Sequence, residues 1–255
     1  MIYLNVVSSG SKGNCYTINT DDSLIIVDIG TSFSKLKDTL SNINLDQKEL
    51  FLFLTHEHLD HTKGLKSLLT NFKPNVFCSM GTAIEISKKY EIDPSNFYIL
   101  DVGKIYKIDG FEVIPFKVLH DGAEPFGYHF VINGKGVTFS TDLGVVTDDI
   151  IEYLNDSHLA ILESNYEDSL LQNGSYPGFL KKRIESIKGH LSNRQAINTL
   201  SMINTKKLHT VFLGHISEEN NRYEIIEKYV SYCNSHFHFT TKYLKQKESI
   251  ENIPI

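Results

Sequence analysis

Apolar and polar positions alternate along this chain in short blocks that predict strands joined by amphipathic helices. Apolar runs of strand length fall at residues 2–8, 15–19, 24–29 and 50–54, with turn signals at residues 10–14 and at Asp21-Asp22. Helical spacing follows at about residues 33–42, 63–71 and 82–90, and further strands are expected near 76–79, 111–119, 127–132 and 136–140. The second half repeats the alternation. Strands are predicted at residues 159–162, 208–213 and 237–241, and helices at 178–187, 193–203 and 219–233. Two halves of this kind predict an α+β fold in which two sheets pack face to face with helices outside. The polar tail after Tyr243 is expected to fray.

Composition narrows the class. A chain of 255 residues suffices for one large domain, and a single domain over 1–255 is the expectation. No apolar run approaches the roughly 20 residues that span a bilayer, and residues 1–5 lack the basic start of a signal peptide, so no membrane partner and a cytoplasmic location are expected. Three cysteines, Cys15, Cys78 and Cys233, share no metal-type spacing and are read as buried free thiols. The formal charge of −6 disfavours a broad nucleic-acid surface but leaves room for a local basic patch.

The candidate chemistry begins where the Leu50-Phe51-Leu52-Phe53-Leu54 run stops. His56-Glu57-His58-Leu59-Asp60-His61 puts three imidazoles and a carboxylate into six residues. If the chain stays extended there, His56, His58 and Asp60 point one way and His61 the other, offering ligands to two metal ions. By composition such a cluster arises by chance in roughly one chain in a thousand. Four more polar residues each end a strand-like run: Asp28, His120, Asp142 and His215. Singly they are weak, and their common placement is the signal. His129, His158, His209, His236 and His238 have no ligand-like neighbours and are read as structural or exposed.

In this order the residues resemble those of the metallo-β-lactamase-fold hydrolases. The resemblance implies a four-layer αβ/βα sandwich with two divalent metal ions, zinc first, with manganese or iron as alternatives. It implies that His56, His58 and His120 hold one ion, that Asp60, His61 and His215 hold the other, and that Asp142 bridges them. Asp28 would stand behind the ligands and fix their geometry. Two such cations share a water, deprotonate it near neutral pH and stabilise the anionic transition state of its attack. The bridging Asp142, where β-lactam-opening members usually carry Cys, points to phosphodiester, thioester or lactone substrates.

A second group lies further on. Ser192 is a candidate N-cap, and a helix start there with His190 before it suggests a phosphate site shared by His190, Ser192 and Asn193. Glu163 nearby would keep His190 charged for protonating a leaving oxygen. The bland alternative is that Ser192 only caps the helix and His190 is a surface residue. Five cations (Lys181, Lys182, Arg183, Lys188, Arg194) against Glu185 make this stretch locally basic, and Tyr166, Tyr176 and Phe179 are aromatics within reach of a base, though core packing is the commoner fate.

Further motifs sharpen the resemblance. Ser8-Ser9-Gly10-Ser11-Lys12-Gly13-Asn14-Cys15-Tyr16, His120-Asp121, Ser175-Tyr176-Pro177 and Gly214-His215-Ile216-Ser217-Glu218-Glu219-Asn220-Asn221 are similar to those of a small bacterial group known as YycJ, VicX or WalJ. That group looks like DNA exonucleases working from the 5′ end. The resemblance therefore implies a nucleic-acid substrate, DNA before RNA, with Asp60, His190 and Glu163 as the catalytic residues and no obligate protein partner. A hydrolase of the same fold acting on a small thioester, lactone or cyclic phosphodiester is the alternative.

Overall fold

A computed structural model describes residues 2–246 and 248–255. Its contacts group into two compact units, one of Met1–Lys104, Gly122–Phe126 and Gln246–Ile255, the other of Ile105–Asp121 and Gly127–Lys245. Each is a seven-stranded mixed sheet with its own helices, which makes the fold α+β.

The first sheet runs in the order β1 (Tyr3–Ser8), β2 (Cys15–Asn19), β3 (Ser23–Val27), β4 (Glu49–Phe53), β5 (Asn75–Cys78) and β6 (Phe97–Ile99), with a seventh strand, Ile250–Pro254, outside β1. β1 to β3 run antiparallel, whereas β3, β4, β5 and β6 pair parallel, which sets the carboxyl ends of β3 and β4 side by side. Four helices belong to this unit: α1 (Phe33–Thr39), α2 (Leu59–Thr62), α3 (Leu65–Phe72) and α4 (Met80–Tyr90). Alternate strand residues Leu24, Ile26, Leu52 and Leu54 share a buried cluster with Leu36, Leu65, Leu68, Ala83 and Ile86 of the helices. The intervening Ile25, Val27, Phe51 and Phe53 are buried too, as expected for parallel strands covered on both faces.

The second sheet contains β7 (Tyr106–Ile108), β8 (Phe111–Lys117), β9 (Phe126–Ile132), β10 (Lys135–Ser140), β11 (Leu159–Glu163), β12 (Thr210–Gly214) and β13 (Thr240–Tyr243). Two-residue turns, Asp109-Gly110 and Asn133-Gly134, close its hairpins with positive φ at all four residues, the chemistry that such turns demand. β10, β11, β12 and β13 are parallel, and Ser140 pairs with Leu162 while Glu163 pairs with Gly214. The carboxyl ends of β10, β11 and β12 therefore lie in one row. Helices α5 (Asp148–Asp156), α6 (Asp168–Asn173), α7 (Gly178–Glu185), α8 (Asn193–Ser201) and α9 (Tyr223–His236) complete the unit. Ala160, Leu162, Val211 and Leu213 pack with Ile150, Leu154, Ala196, Leu200 and Ile226. All three cysteines are free and buried.

Several expectations are corrected. The chain does not stay extended through the histidine cluster: it enters α2 directly after His58, so Asp60 and His61 sit on one helical turn. The tail does not fray either. Ile250–Pro254 forms β14, antiparallel to β1 on the edge of the first sheet, while Lys247 lies outside the described residues. The last helix starts at Tyr223 rather than at 219, because Ser217 Oγ accepts from the amides of Glu219 and Asn220 and Asn221 Oδ1 accepts from that of Arg222. The final strand of the second sheet begins three residues later than expected, at Thr240. β6, β7, α5 and α6 were not anticipated, although Asp109-Gly110 and the acidic first turn of α5 after Thr147 carry the signals for two of them. No helix among the described residues is long and apolar enough to cross a membrane.

One glycine locks the histidine loop in place. A Cβ on Gly30 would stand 1.5 Å from the Asp60 carbonyl oxygen, so this backbone approach admits only glycine. Gly30→Ala is expected to lower unfolding free energy by at least about 1–3 kcal/mol, since the α2 backbone must move. Denaturant unfolding with an unchanged m-value checks it.

Candidate metal centre

In the first unit, β3 and β4 deliver the polar groups. The backbone ladder runs one residue past β3, with Asp28 N–H donating to the Phe53 carbonyl at 2.9 Å, and Asp28 then turns left-handed at φ 60°. That turn aims its carboxylate at the loop after β4. Oδ1 accepts from Thr55 N–H at 2.8 Å, and Oδ2 accepts from Thr55 Oγ1 at 2.9 Å and from His61 Nδ1 at 2.7 Å. Burial pushes the Asp28 carboxyl up, while His61 and Thr55 pull it partly back. With Nδ1 committed to Asp28, His61 presents Nε2 as the nitrogen with a lone pair. Asn14 Nδ2 lies 3.0 Å from that nitrogen and Asp60 Oδ2 3.5 Å from it. His56 Nε2 and His58 Nδ1 face each other at 3.0 Å. Four ligand-type side chains are thus gathered on one loop, with the His56 ring in contact with those of both His58 and His61.

The second unit builds its own cluster around a carboxylate. Glu163, at the end of β11, is fully buried and accepts four hydrogen bonds. Oε1 takes Nδ1 of His190 and Nδ1 of His215, both at 2.8 Å. Oε2 takes the amides of Leu143 at 3.0 Å and Leu191 at 3.2 Å, the residues that follow Asp142 and His190. Burial alone would raise this carboxyl; the charge and hydrogen bond of His190, with those of His215, outweigh it and hold Glu163 below the usual carboxylate range. His215 Nε2 then faces Asp142 Oδ1 at 3.4 Å. Ligand atoms of Asp142, Glu163, His190 and His215 all lie within 4.8 Å of one another.

Backbone strain marks the same positions. Asp142 and His215 have φ of 57° and 52°, so three site residues, with Asp28, occupy the left-handed region. Each costs of order 1–3 kcal/mol in a non-glycine residue. His120 completes the second cluster: its Nδ1 sits 3.1 Å from the Gly189 carbonyl and its Nε2 3.2 Å from Asp121 Oδ1 and 3.9 Å from Asp142 Oδ1. Burial holds the His120 imidazole below its ordinary pKa, as suits a neutral ligand nitrogen. A Cβ on Gly189 would meet the Ile184 carbonyl at 2.1 Å, so the tight turn before His190 also depends on glycine.

At the helix start Ser192 is the N-cap that the sequence offers. Ser192 Oγ accepts from Gln195 N–H, and the Gln195 side chain accepts from Ser192 N–H, a reciprocal capping box. Asn193 is fully buried, with its amide group bonded to Ser164, Glu167 and Asn221 and its N–H given to the Tyr166 carbonyl. His190 instead keeps 22% of its side chain exposed beside Glu163. The basic stretch is partly neutralised, since Arg183 pairs with Asp121 and Arg194 with Asp168. Asn14 and Thr55 are the contributors that sequence reasoning did not single out; a threonine directly before His56 was the available cue.

The donor set in both clusters is imidazole nitrogen and carboxylate oxygen without thiolate, which suits zinc and equally manganese or iron. The family model of the beta-lactamase superfamily domain matches residues 25–216. Among curated proteins, the chain is 31% identical to the exodeoxyribonuclease WalJ of Streptococcus pneumoniae over 225 residues, 87% of this chain and 84% of that one. It is 30% identical to the exodeoxyribonuclease YycJ of Bacillus anthracis over 232 residues, covering 90% and 88%. Among solved structures, the metallo-β-lactamase fold protein YhfI of Bacillus subtilis superimposes with a TM-score of 0.73 at 14% identity over 98% of this chain and 99% of that one. Strand-end imidazoles and carboxylates, a family match over most of the chain and a shared fold lead to one conclusion: this chain belongs to the beta-lactamase superfamily and has the metallo-β-lactamase fold, of the α+β class.

Proposed function

We propose that the chain is a metal-dependent phosphodiesterase that removes nucleotides from the 5′ end of DNA, its two units working as one catalytic domain. The observation that carries this is the buried Glu163, which orients His190 beside Asp142 and His215. A plain metal site does not call for that extra imidazole; a phosphodiester, whose leaving oxygen must be protonated, does. The exodeoxyribonuclease relatives support the same substrate, and a cytoplasmic place of action goes with that reading.

His56, His58 and His120 would hold one divalent ion, Asp60, His61 and His215 a second, and Asp142 would serve both, zinc being the first candidate. Bound there, divalent ions lower the pKa of water and polarise a phosphoryl oxygen. The chain's residues do the rest. Asp28 and Glu163 hold the Nδ1 protons of His61 and His215, which keeps each Nε2 available as a ligand. Water, its proton released to solvent, attacks phosphorus, the bond from phosphorus to the leaving oxygen breaks, and His190 gives that oxygen a proton. Glu163 accepts from His190 Nδ1 at 2.8 Å and so fixes the orientation of the ring that delivers it. Ser192 and Asn193 act by fixing the backbone that carries His190 rather than by touching the phosphate with their side chains.

Digestion of end-labelled single- and double-stranded DNA and RNA, with zinc or manganese, tests the reading. Stepwise 5′ release from DNA is expected; hydrolysis of thioesters or lactones with DNA left intact would replace it with the small-molecule alternative. His190→Ala should slow DNA turnover by roughly 10²–10⁴-fold with metal content unchanged. Single-turnover kinetics beside elemental analysis separate the two effects. Asp142→Ala should lose metal and activity on every substrate, and a variant that retains both ions contradicts the shared-ligand assignment.

A further inference from the structure

Helix α7 has two faces of different chemistry. Its inner side chains, Leu180 and Ile184, pack with Tyr166, Leu171 and Tyr176 in a small apolar cluster. Phe179, Lys182 and Arg183 stand at i, i+3 and i+4 and so share a different face. Phe179 on it is 76% exposed, and the space beside the adjoining Gly178 is open to 4 Å. Lys181 points elsewhere, its Nζ bonded to the Gln172 carbonyl at 2.7 Å. Tyr166 is buried and Tyr176 is half-buried against the same cluster, whereas Phe179 stands out into solvent.

This face leads to the candidate centre. At its near end Arg183 pairs with Asp121, whose other oxygen lies 3.2 Å from His120 Nε2. The helix terminus is tied to His190 as well, since His190 N–H donates to the Ile184 carbonyl at 2.9 Å. From Arg183 back to Phe179 the helix rises about 6 Å, close to the height of two stacked bases. An aromatic face and an aliphatic cation on one helical stripe match the two parts of a nucleotide: a base has a π-face, and its phosphate a charge. With Arg183 paired to Asp121, the exposed Lys182 is the cation that this stripe presents to a phosphate.

We infer that the exposed face of α7 is a nucleotide subsite for single-stranded DNA flanking the cleaved bond, in which Phe179 stacks on a base and Lys182 holds its phosphate. Arg183, anchored on Asp121, fixes the near end of the face. The inference rests on the DNA-hydrolase reading and adds to it that the bound end is unpaired, since a base inside a duplex has no free π-face to offer.

The test uses the full-length metal-loaded protein and a single-stranded oligonucleotide with phosphorothioate linkages, carrying 2-aminopurine at successive positions from its 5′ end. Quenching at one or two adjacent positions is expected with the wild type. Phe179→Ala should abolish that quenching and weaken binding by about tenfold or more, whereas Phe179→Trp should retain both. Lys182→Ala should lower the slope of log affinity against log salt by about one. Thermal unfolding of each variant controls for folding. Equal affinity and equal quenching in Phe179→Ala would overturn the stacking subsite while leaving the nuclease reading standing. A wild-type protein that neither binds nor cuts DNA would overturn both.

Discussion

The Glu163 carboxylate, buried and filled on both oxygens, is the interaction on which the candidate ligand cluster of the second unit depends. It accepts from two imidazoles and from the two amides that follow Asp142 and His190. A buried carboxylate without partners is strongly unfavourable; with four donors it becomes a fixed point. Residues from three parallel strand ends and one helix start are thereby referred to a single pair of oxygen atoms. Asp28 does similar work in the first unit, linking Thr55 and His61. Each sheet thus carries an acid that ties imidazole to backbone, and Asp28 takes the Thr55 hydroxyl as well.

Those acids work only because the strand ends bend sharply. Val27, Thr141 and Gly214 bring the chain to the sheet edge, and Asp28, Asp142 and His215 then adopt left-handed φ. Continued extension would carry each side chain on in the alternation of its strand. The left-handed residue breaks that alternation at the cost of local strain. That three of the described positive-φ non-glycine residues coincide with expected metal ligands or their support is the pattern expected where strain serves function.

Much of this was legible in the sequence because parallel strands announce themselves as apolar runs and their ends as abrupt polar residues. Asp28, His120, Asp142 and His215 were found that way, and Ser192 was found as a cap from its place before a helical stripe. What was not legible depended on partners remote in sequence. The α2 turn is fixed by Ile29, Gly30 and Gly64 as much as by its own residues, so local pattern favoured extension there. β14 has no apolar run longer than one residue before Ile253 and forms because β1 offers it an edge. The burial of Asn193 comes from Ser164, Glu167 and Asn221, which no periodicity connects to it.

The hairpin turns of the second sheet show the counterpart of this concentration. Asp109-Gly110 and Asn133-Gly134 satisfy their own left-handed geometry, and no atom stands within 4 Å of where a Cβ on either glycine would be. Nothing catalytic leans on them. The scaffold therefore has ends of two kinds, one crowded and intolerant, the other open to lengthening. New surface, such as an added recognition loop, has room to grow at these hairpins without disturbing a single ligand.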